Sequence, residues 1–267
     1  MTGPVTSPGK SVPVEVKPDG TRAAVTRAWV PEAPVAFEFN GLAYAVMMAT
    51  PADLADFCTG FALSEGLAAT AGEVSDIAVA QVEQGWIVRA ALAGLGIAHL
   101  SERVRARVAE SSCGLCGIEN LEAVAKPLPP AAAHAAIAPA AIFAAVAALR
   151  PLQVLGRATG AAHAAAFAVS DGSIVALRED VGRHNAMDKL IGALARAAQP
   201  LSPGFVLSTA RCSYEIVEKA ARAGATTLVC VSLPTSLAVE RATAAGLTLW
   251  ALARDDSVLL INDASTK

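Results

Sequence analysis

From Phe205 onward one pattern recurs: a short apolar run, a hydroxyl-rich turn, then an amphipathic stretch. The runs are FVLST (205–209), TLVCVS (227–232) and LTLWAL (247–252), separated by SYEIVEKAARAG and SLAVERATAAG. Apolar runs of this length read as buried strands, and their alternation with helices reads as βαβ units. A strand joined to the next through a crossover helix lies parallel to it. Just upstream, AAAFAV and SIVALR flank Asp171-Gly172, a hairpin turn, and a helix near 184–197 follows. The expectation for this half is an α/β domain with a mostly parallel sheet.

The amino-terminal half has a different rhythm. VAFEFNGLAYAVMM (35–48) is two apolar runs joined by Asn40-Gly41, the strongest short-range hairpin signal. Thr50-Pro51 then reads as the opening of a helix, with Thr50 as N-cap and a stop near Gly66. IAVAQVE and GWIVRAAL form a second strand pair turning at Gln84-Gly85, and Ser101 reads as the cap of a short basic helix, ERVRARVAE. Pro127, Pro129 and Pro130 mark a boundary, and an alanine-rich helix is expected near 140–149. The expected division is a flexible lead-in over 1–30, a smaller α+β domain over 31–126, and the α/β domain over 127–267.

A net charge of −3, with no block of like charges, gives no sign of a nucleic-acid surface or a membrane anchor. The amino terminus lacks an apolar core of signal-peptide length, so the chain is expected in the cytoplasm. The stretch 131–149 is mostly alanine and holds His134 and Pro139, too weakly apolar to span a bilayer.

In a parallel sheet, ligands bind beyond the carboxyl ends of the strands, against the helix amino termini. That places Ser208, Thr209, Arg211 and Ser213 after one strand, Ser232, Thr235 and Ser236 after the next, and Arg254 after the last, as a cradle for phosphate or a nucleotide. Ser213 and Ser236 read equally well as ordinary N-caps. A second cluster, R178-E-D-V-G-R-H-N-A-M-D-K189, concentrates charge in a chain that is only 17% charged. Either His184 and Asp188 pair one turn apart, or Glu179, Asp180, Arg183 and His184 line a ligand pocket with His163. His99 and His134 read as incidental.

Five cysteines in a reducing compartment raise the question of which are reactive. Cys58, on the apolar face of a helix, and Cys230, inside a strand, read as core residues, and Cys212 is ambiguous. Cys113 and Cys116 form the motif C113-G-L-C116-G. A closed zinc site would need a second ligand pair that this chain does not offer, so no metal is expected. A thioredoxin-like couple would sit at a strand-to-helix junction, whereas this pair precedes the domain boundary. A nucleophile or sulfur carrier on a glycine-bracketed loop fits best.

Taken together, E32-A-P-V, N40-G41, the helix from Thr50 to Gly66, C113-G-L-C116-G, T159-G-A-A-H163, E179-D-V-G-R-H-N-A-M-D-K-L-I191, S213-Y-E-I-V-E-K219 and P234-T-S-L-A-V-E240 resemble the FdhD family of formate dehydrogenase accessory sulfurtransferases. The resemblance runs from about Glu32 to Val258. It implies a cytoplasmic homodimer with a cytidine deaminase-like core. The family's members take persulfide sulfur from a cysteine desulfurase and pass it to the molybdenum bis-guanine-dinucleotide cofactor, Mo-bis(molybdopterin guanine dinucleotide), of formate dehydrogenase. GDP or GMP are the implied surrogates for its nucleotide arm.

The persulfide position maps to Cys113, with Cys116 as supporting thiol. The guanine dinucleotide contact maps to Leu252, Ala253, Arg254, Asp255, Asp256 and Ser257, where Arg254 alone supplies positive charge. Deamination is disfavoured, because His163-Ala164-Ala165 lacks the glutamate of the zinc deaminases' H-x-E. A non-catalytic molybdenum-cofactor chaperone is the competing function, and it would tolerate serine at both cysteines. A zinc-dependent interaction module is a third, and it would hold stoichiometric metal.

Overall fold

The computed structural model of the protein describes residues 13–94 and 126–266. The expected helix after Ser101, His99, and the Cys113/Cys116 motif lie outside the described residues. Two sheets carry the fold. Ahead of them, in the lead-in expected to be flexible, β1 (Val14–Val16) and β2 (Arg22–Ala24) pair as a short antiparallel hairpin.

The amino-terminal sheet is built from β3 (Ala33–Phe39), β4 (Leu42–Ala49), β5 (Val74–Val82) and β6 (Gly85–Leu92), in the order β4-β3-β6-β5. Asn40 and Gly41 both take positive φ, as a two-residue hairpin loop requires. Val35, Phe37 and Phe39 alternate inward along β3 and pack on α1 (Leu54–Ser64). There Phe37 meets the rings of Phe57 and Phe61, and Tyr44 closes the cluster edge-on against Phe61.

α1 does not begin as expected. Its N-cap is Asp53, in the left-handed region at φ 53°, rather than Thr50. The polar groups of Thr50 are engaged elsewhere, across the molecule.

The second sheet has six strands: β7 (His163–Ala168), β8 (Ile174–Asp180), β9 (Phe205–Ser208), β10 (Thr227–Cys230), β11 (Thr248–Ala251) and β12 (Leu259–Asn262), in the order β12-β11-β10-β9-β7-β8. α2 (Pro139–Leu152) covers one face, on Ala166, Ala168, Phe205, Leu207 and Val229. α4 (Arg183–Arg196), α5 (Tyr214–Arg222) and α6 (Ser236–Ala244) cover the other, on Ala165, Phe167, Leu228, Cys230 and Leu249. The short α3 (Val154–Thr159) links α2 to β7.

The expectation of a mostly parallel sheet is corrected. Only β9–β10 and β10–β11 pair in parallel, while β7–β8, β7–β9 and β11–β12 are antiparallel. The tight turn at Asp171-Gly172 folds β7 back on β8, and β7 then lies between β8 and β9. β8 to β11 still share one direction, but the inserted strand makes the sheet mixed.

Three smaller expectations also change. Thr235, not Ser236, caps α6, its Oγ1 accepting from Ala238 N at 3.2 Å. His134 is buried rather than incidental, with Nδ1 2.9 Å from Ala132 O and Nε2 2.9 Å from Thr248 Oγ1, tying the segment before α2 to β11. His184 and Asp188 do not pair, since each meets a residue of another helix. Among the described residues, no helix is long and apolar enough to cross a membrane.

The two halves meet along α1 and α4, where the crossing is set by glycine. A Cβ on Gly60 would collide with the carbonyl of Asp188, and one on Gly192 with the carbonyl of Asp56. Arg178 Nη2 and Arg196 Nη1 both clasp Asp56 from the carboxyl-terminal half, the former at 2.7 Å. Alanine would favour an isolated helix by about 1 kcal/mol over glycine. Here Gly60→Ala and Gly192→Ala should instead each destabilise by about 1–3 kcal/mol or more, because the backbones must part. Urea denaturation checks this, and a neutral or stabilised variant would mean that the helices are free to separate.

Candidate functional site

β8, β9, β10 and β11 all end at one edge of the second sheet, and α4, α5 and α6 present their amino termini there. β7 runs the other way and so begins at this edge, which sets His163 opposite Asp180 and Ala165 opposite Ser208. The expected carboxyl edge therefore exists, and it gathers residues from segments well separated in sequence.

His163, Arg183 and His184 come together at the β7–β8 end. Burial, and then the Arg183 guanidinium, push the His163 imidazole below its ordinary value against the pull of Asp180, so His163 is neutral at pH 7. Arg211 adds to the positive potential felt by His163. His184 Nε2 lies 2.9 Å from Glu215 Oε2 at the start of α5. That contact holds the Glu215 carboxyl below its usual range.

Besides His184 Nε2, which has Glu215 beside it without hydrogen-bond alignment, two polar atoms here are buried without a hydrogen-bond partner among the described residues: Nε of Arg183 and Oγ of Ser213. Ser213 occupies the N-cap position of α5 but makes no side-chain cap bond. Buried polar groups left unpaired are uncommon in folded proteins, and unsatisfied donors beside a helix amino terminus are suited to an anion.

The remaining expected site residues have different roles. Ser208 is buried, and its Oγ accepts from Ala210 N at 3.2 Å, so it shapes the turn after β9. Thr209 Oγ1 accepts from Ala164 N at 2.8 Å and fastens β7 to β9. Glu179 points away from the edge and accepts from the amides of Leu155 (2.8 Å) and Gly156 (2.7 Å), fixing the start of α3. Asp180 is wholly buried and takes four donors: Thr50 N (3.0 Å), Gly182 N (2.7 Å), Asn185 Nδ2 (2.9 Å) and Lys189 Nζ (2.6 Å). Glu179 and Asp180 thus support this edge rather than line it.

The 252–257 segment follows β11 at the same edge. Leu252 is left-handed (φ 48°), its amide reaching toward Ser232 O at 3.5 Å, and the Ala253 amide donates to Cys230 O at 3.1 Å. Arg254 N donates to Ser257 O at 2.9 Å, making a tight turn on which Arg254, Asp255, Asp256 and Ser257 are exposed. Ser232 is half-buried and Arg211 exposed between the two ends. Three strand spacings of ~4.8 Å separate β7 from β11, about 14 Å, so one ligand touching both His163 and Arg254 must be elongated.

Of the thiols, Cys58, Cys212 and Cys230 are free and buried. Burial pushes Cys58 up to about 12, which makes it unreactive. Cys212, left ambiguous by sequence, is a core residue whose thiol meets that of Cys230, and the contact lowers the first and raises the second.

Sequence reasoning missed Thr50 and Lys189 as supports of this edge, because nothing local joins Thr50 to residues 130 positions further on. It also missed Glu215 as the partner of His184.

The model of the FdhD/NarQ family matches residues 30–265. A sulfur carrier protein FdhD of Variovorax paradoxus (strain S110) is 45% identical over 235 residues, covering 88% of this chain and 84% of its own. One of Cupriavidus necator is 46% identical over 223 residues, covering 84% and 77%. The crystal structure of a Desulfotalea psychrophila protein regarded as a formate dehydrogenase accessory protein superposes with a TM-score of 0.74, at 24% identity, over 94% of this chain and 95% of that one. By the extent of the family match and the identity of these relatives, the chain belongs to the FdhD/NarQ family.

Proposed function

We propose that the protein is a sulfurtransferase of formate dehydrogenase maturation: it carries persulfide sulfur on Cys113 and delivers it to Mo-bis(molybdopterin guanine dinucleotide) bound at the carboxyl edge of the second sheet. The names of the relatives support the sulfur-carrying role, and that of the similar solved structure agrees with an accessory role. The observation that carries the ligand part is the pair of buried, unpartnered groups, Arg183 Nε and Ser213 Oγ, beside His163, His184 and Arg211. A phosphate oxygen accepts from such donors, and an elongated dinucleotide has the length to reach the turn at Arg254. We read the sheet, with β7 reversed among four strands of one direction, as the deaminase-like core that the resemblance implies. A homodimer in the cytoplasm, with a cysteine desulfurase as donor, completes the reading.

The sulfur chemistry balances without an outside oxidant. The Cys113 thiolate attacks the terminal sulfur of the donor's persulfide, the donor's S–S bond breaks, and the donor cysteine leaves as thiolate. Attack by the Cys116 thiolate on the inner sulfur of the Cys113 persulfide forms a disulfide between the two and expels the outer sulfur as hydrosulfide for the bound acceptor. The two thiols supply its electrons, and a cellular thiol then reduces the disulfide. The neutral imidazole of His163 accepts a hydrogen bond or proton at the ligand edge, while Arg183 and His184 orient the ligand's phosphates.

A chaperone that only escorts the cofactor makes no use of the thiols, so cells separate the two functions. Cys113→Ser should leave formate dehydrogenase present but inactive, whereas Cys116→Ser should still take up persulfide on Cys113 and release it poorly. Full activity of both serine variants, measured against dehydrogenase abundance, would favour the chaperone. For the ligand site, GDP should bind with a Kd in the micromolar-to-millimolar range, about −4 to −8 kcal/mol. Arg183→Ala should weaken that binding by about tenfold, consistent with one charged hydrogen bond worth ~1.5–3 kcal/mol. Calorimetry that finds no binding, or binding indifferent to both Arg183→Ala and Arg254→Ala, would remove the site from this edge.

A further inference from the structure

Thr50 follows β4 in the amino-terminal half, yet its amide, hydroxyl and carbonyl each bond to the end of β8, the corner after it or α4. Its amide donates to Asp180 Oδ2 at 3.0 Å, its Oγ1 accepts from Val181 N at 3.1 Å, and its carbonyl accepts from Lys189 Nζ at 2.8 Å. The side chain of Asn185 adds a fourth link by donating to Met48 O at 2.9 Å. Thr50, Asp180 and Lys189 are all buried, Lys189 completely.

This corner carries Val181 and Gly182 directly into Arg183 and His184. α4 has Gly182 at its N-cap and no side-chain cap of its own, so its first turn lacks the usual local brace. The space is also tight, since a Cβ on Gly182 would sit 2.7 Å from Asn185 Nδ2. The hydroxyl of Thr50 is the partner of the Val181 amide, one residue before the helix cap.

From this geometry we propose that Thr50 is a positioning residue for the ligand edge: through the Val181 amide it sets the aim of Arg183 and His184, so the amino-terminal half governs binding at a site it does not itself line. The inference rests on the ligand reading above. Thr50→Val keeps the side chain's shape and removes only the hydroxyl, while Thr50→Ser restores it. Two measurements are made on the full chain: GDP affinity by calorimetry, and the titration midpoint of the His163 ring by NMR, assignable among four histidines.

His163 is held low by burial and then by Arg183, with Asp180 opposing and His184 and Arg211 adding. If Arg183 swings away, the midpoint must rise. Thr50→Val should raise it and weaken GDP binding by about tenfold, and Thr50→Ser should return both to the wild-type values. An unchanged midpoint together with unchanged GDP affinity in a folded Thr50→Val variant would overturn the proposal and leave Thr50 as a simple tie between the halves. Should Thr50→Val fail to fold, Thr50→Ala carries the same expectation. Should the wild type itself not bind GDP, the ligand reading falls, and the His163 midpoint alone decides whether Thr50 positions the corner.

Discussion

The close crossing of α1 and α4 is the constraint on which the rest of the structure depends. Glycine at 60 and 192 lets two helix backbones touch, and that approach brings polar groups of one half within hydrogen-bond reach of the other. Asp188 and Lys189, neighbours on α4, then face different partners. Lys189 meets Asp180 at 2.6 Å and Thr50, while Asp188 meets Lys219 at 2.9 Å and Ser64 Oγ at 2.6 Å. Such charges are costly to bury, and removing one member of a buried pair typically costs about 3–5 kcal/mol because the other is left uncompensated. Each also makes a hydrogen bond to the amino-terminal half, Asp188 with Ser64 at the end of α1 and Lys189 with Thr50 ahead of it.

That dependence reaches the carboxyl edge of the second sheet. Asp180 satisfies four donors and so fixes the end of β8, the glycine corner and the first turn of α4 as one unit. Arg183 and His184 project from this unit, and Glu215 meets His184 from the next helix. Rigid support beneath, with unpaired donors above, is the division expected of a binding site. The buried thiols are shut away from it: Cys58, Cys212 and Cys230 sit in the cores. Sulfur chemistry in this account therefore belongs to Cys113 and Cys116.

Much of the fold was legible because it is local. The Asn40-Gly41 and Asp171-Gly172 turns, the strands at 205, 227 and 247, and the helices between them follow from turn chemistry and periodicity. The sheet's mixed pairing was not legible, since no short-range pattern tells that β7 slots between β8 and β9. The N-cap at Thr50 failed for a physical reason: its polar groups are taken by Asp180, Val181 and Lys189, far along the chain. At the site, the carboxyl-edge rule reached Arg211, Ser213 and Arg254, and the charge concentrated in 178–189 reached Arg183 and His184 beside His163. The edge rule could not separate Ser208, which closes a turn, from Ser213, whose hydroxyl stays unpaired, because both stand at the carboxyl end of the same strand.

The most direct test of the central claim is to incubate the purified full chain with a cysteine desulfurase and cysteine, then locate added sulfur by intact-protein mass and peptide mapping under non-reducing conditions. The account predicts a gain of one sulfur atom per chain, on Cys113, absent from Cys113→Ser. A chain that gains no sulfur, or gains it only on a cysteine other than Cys113, would contradict it.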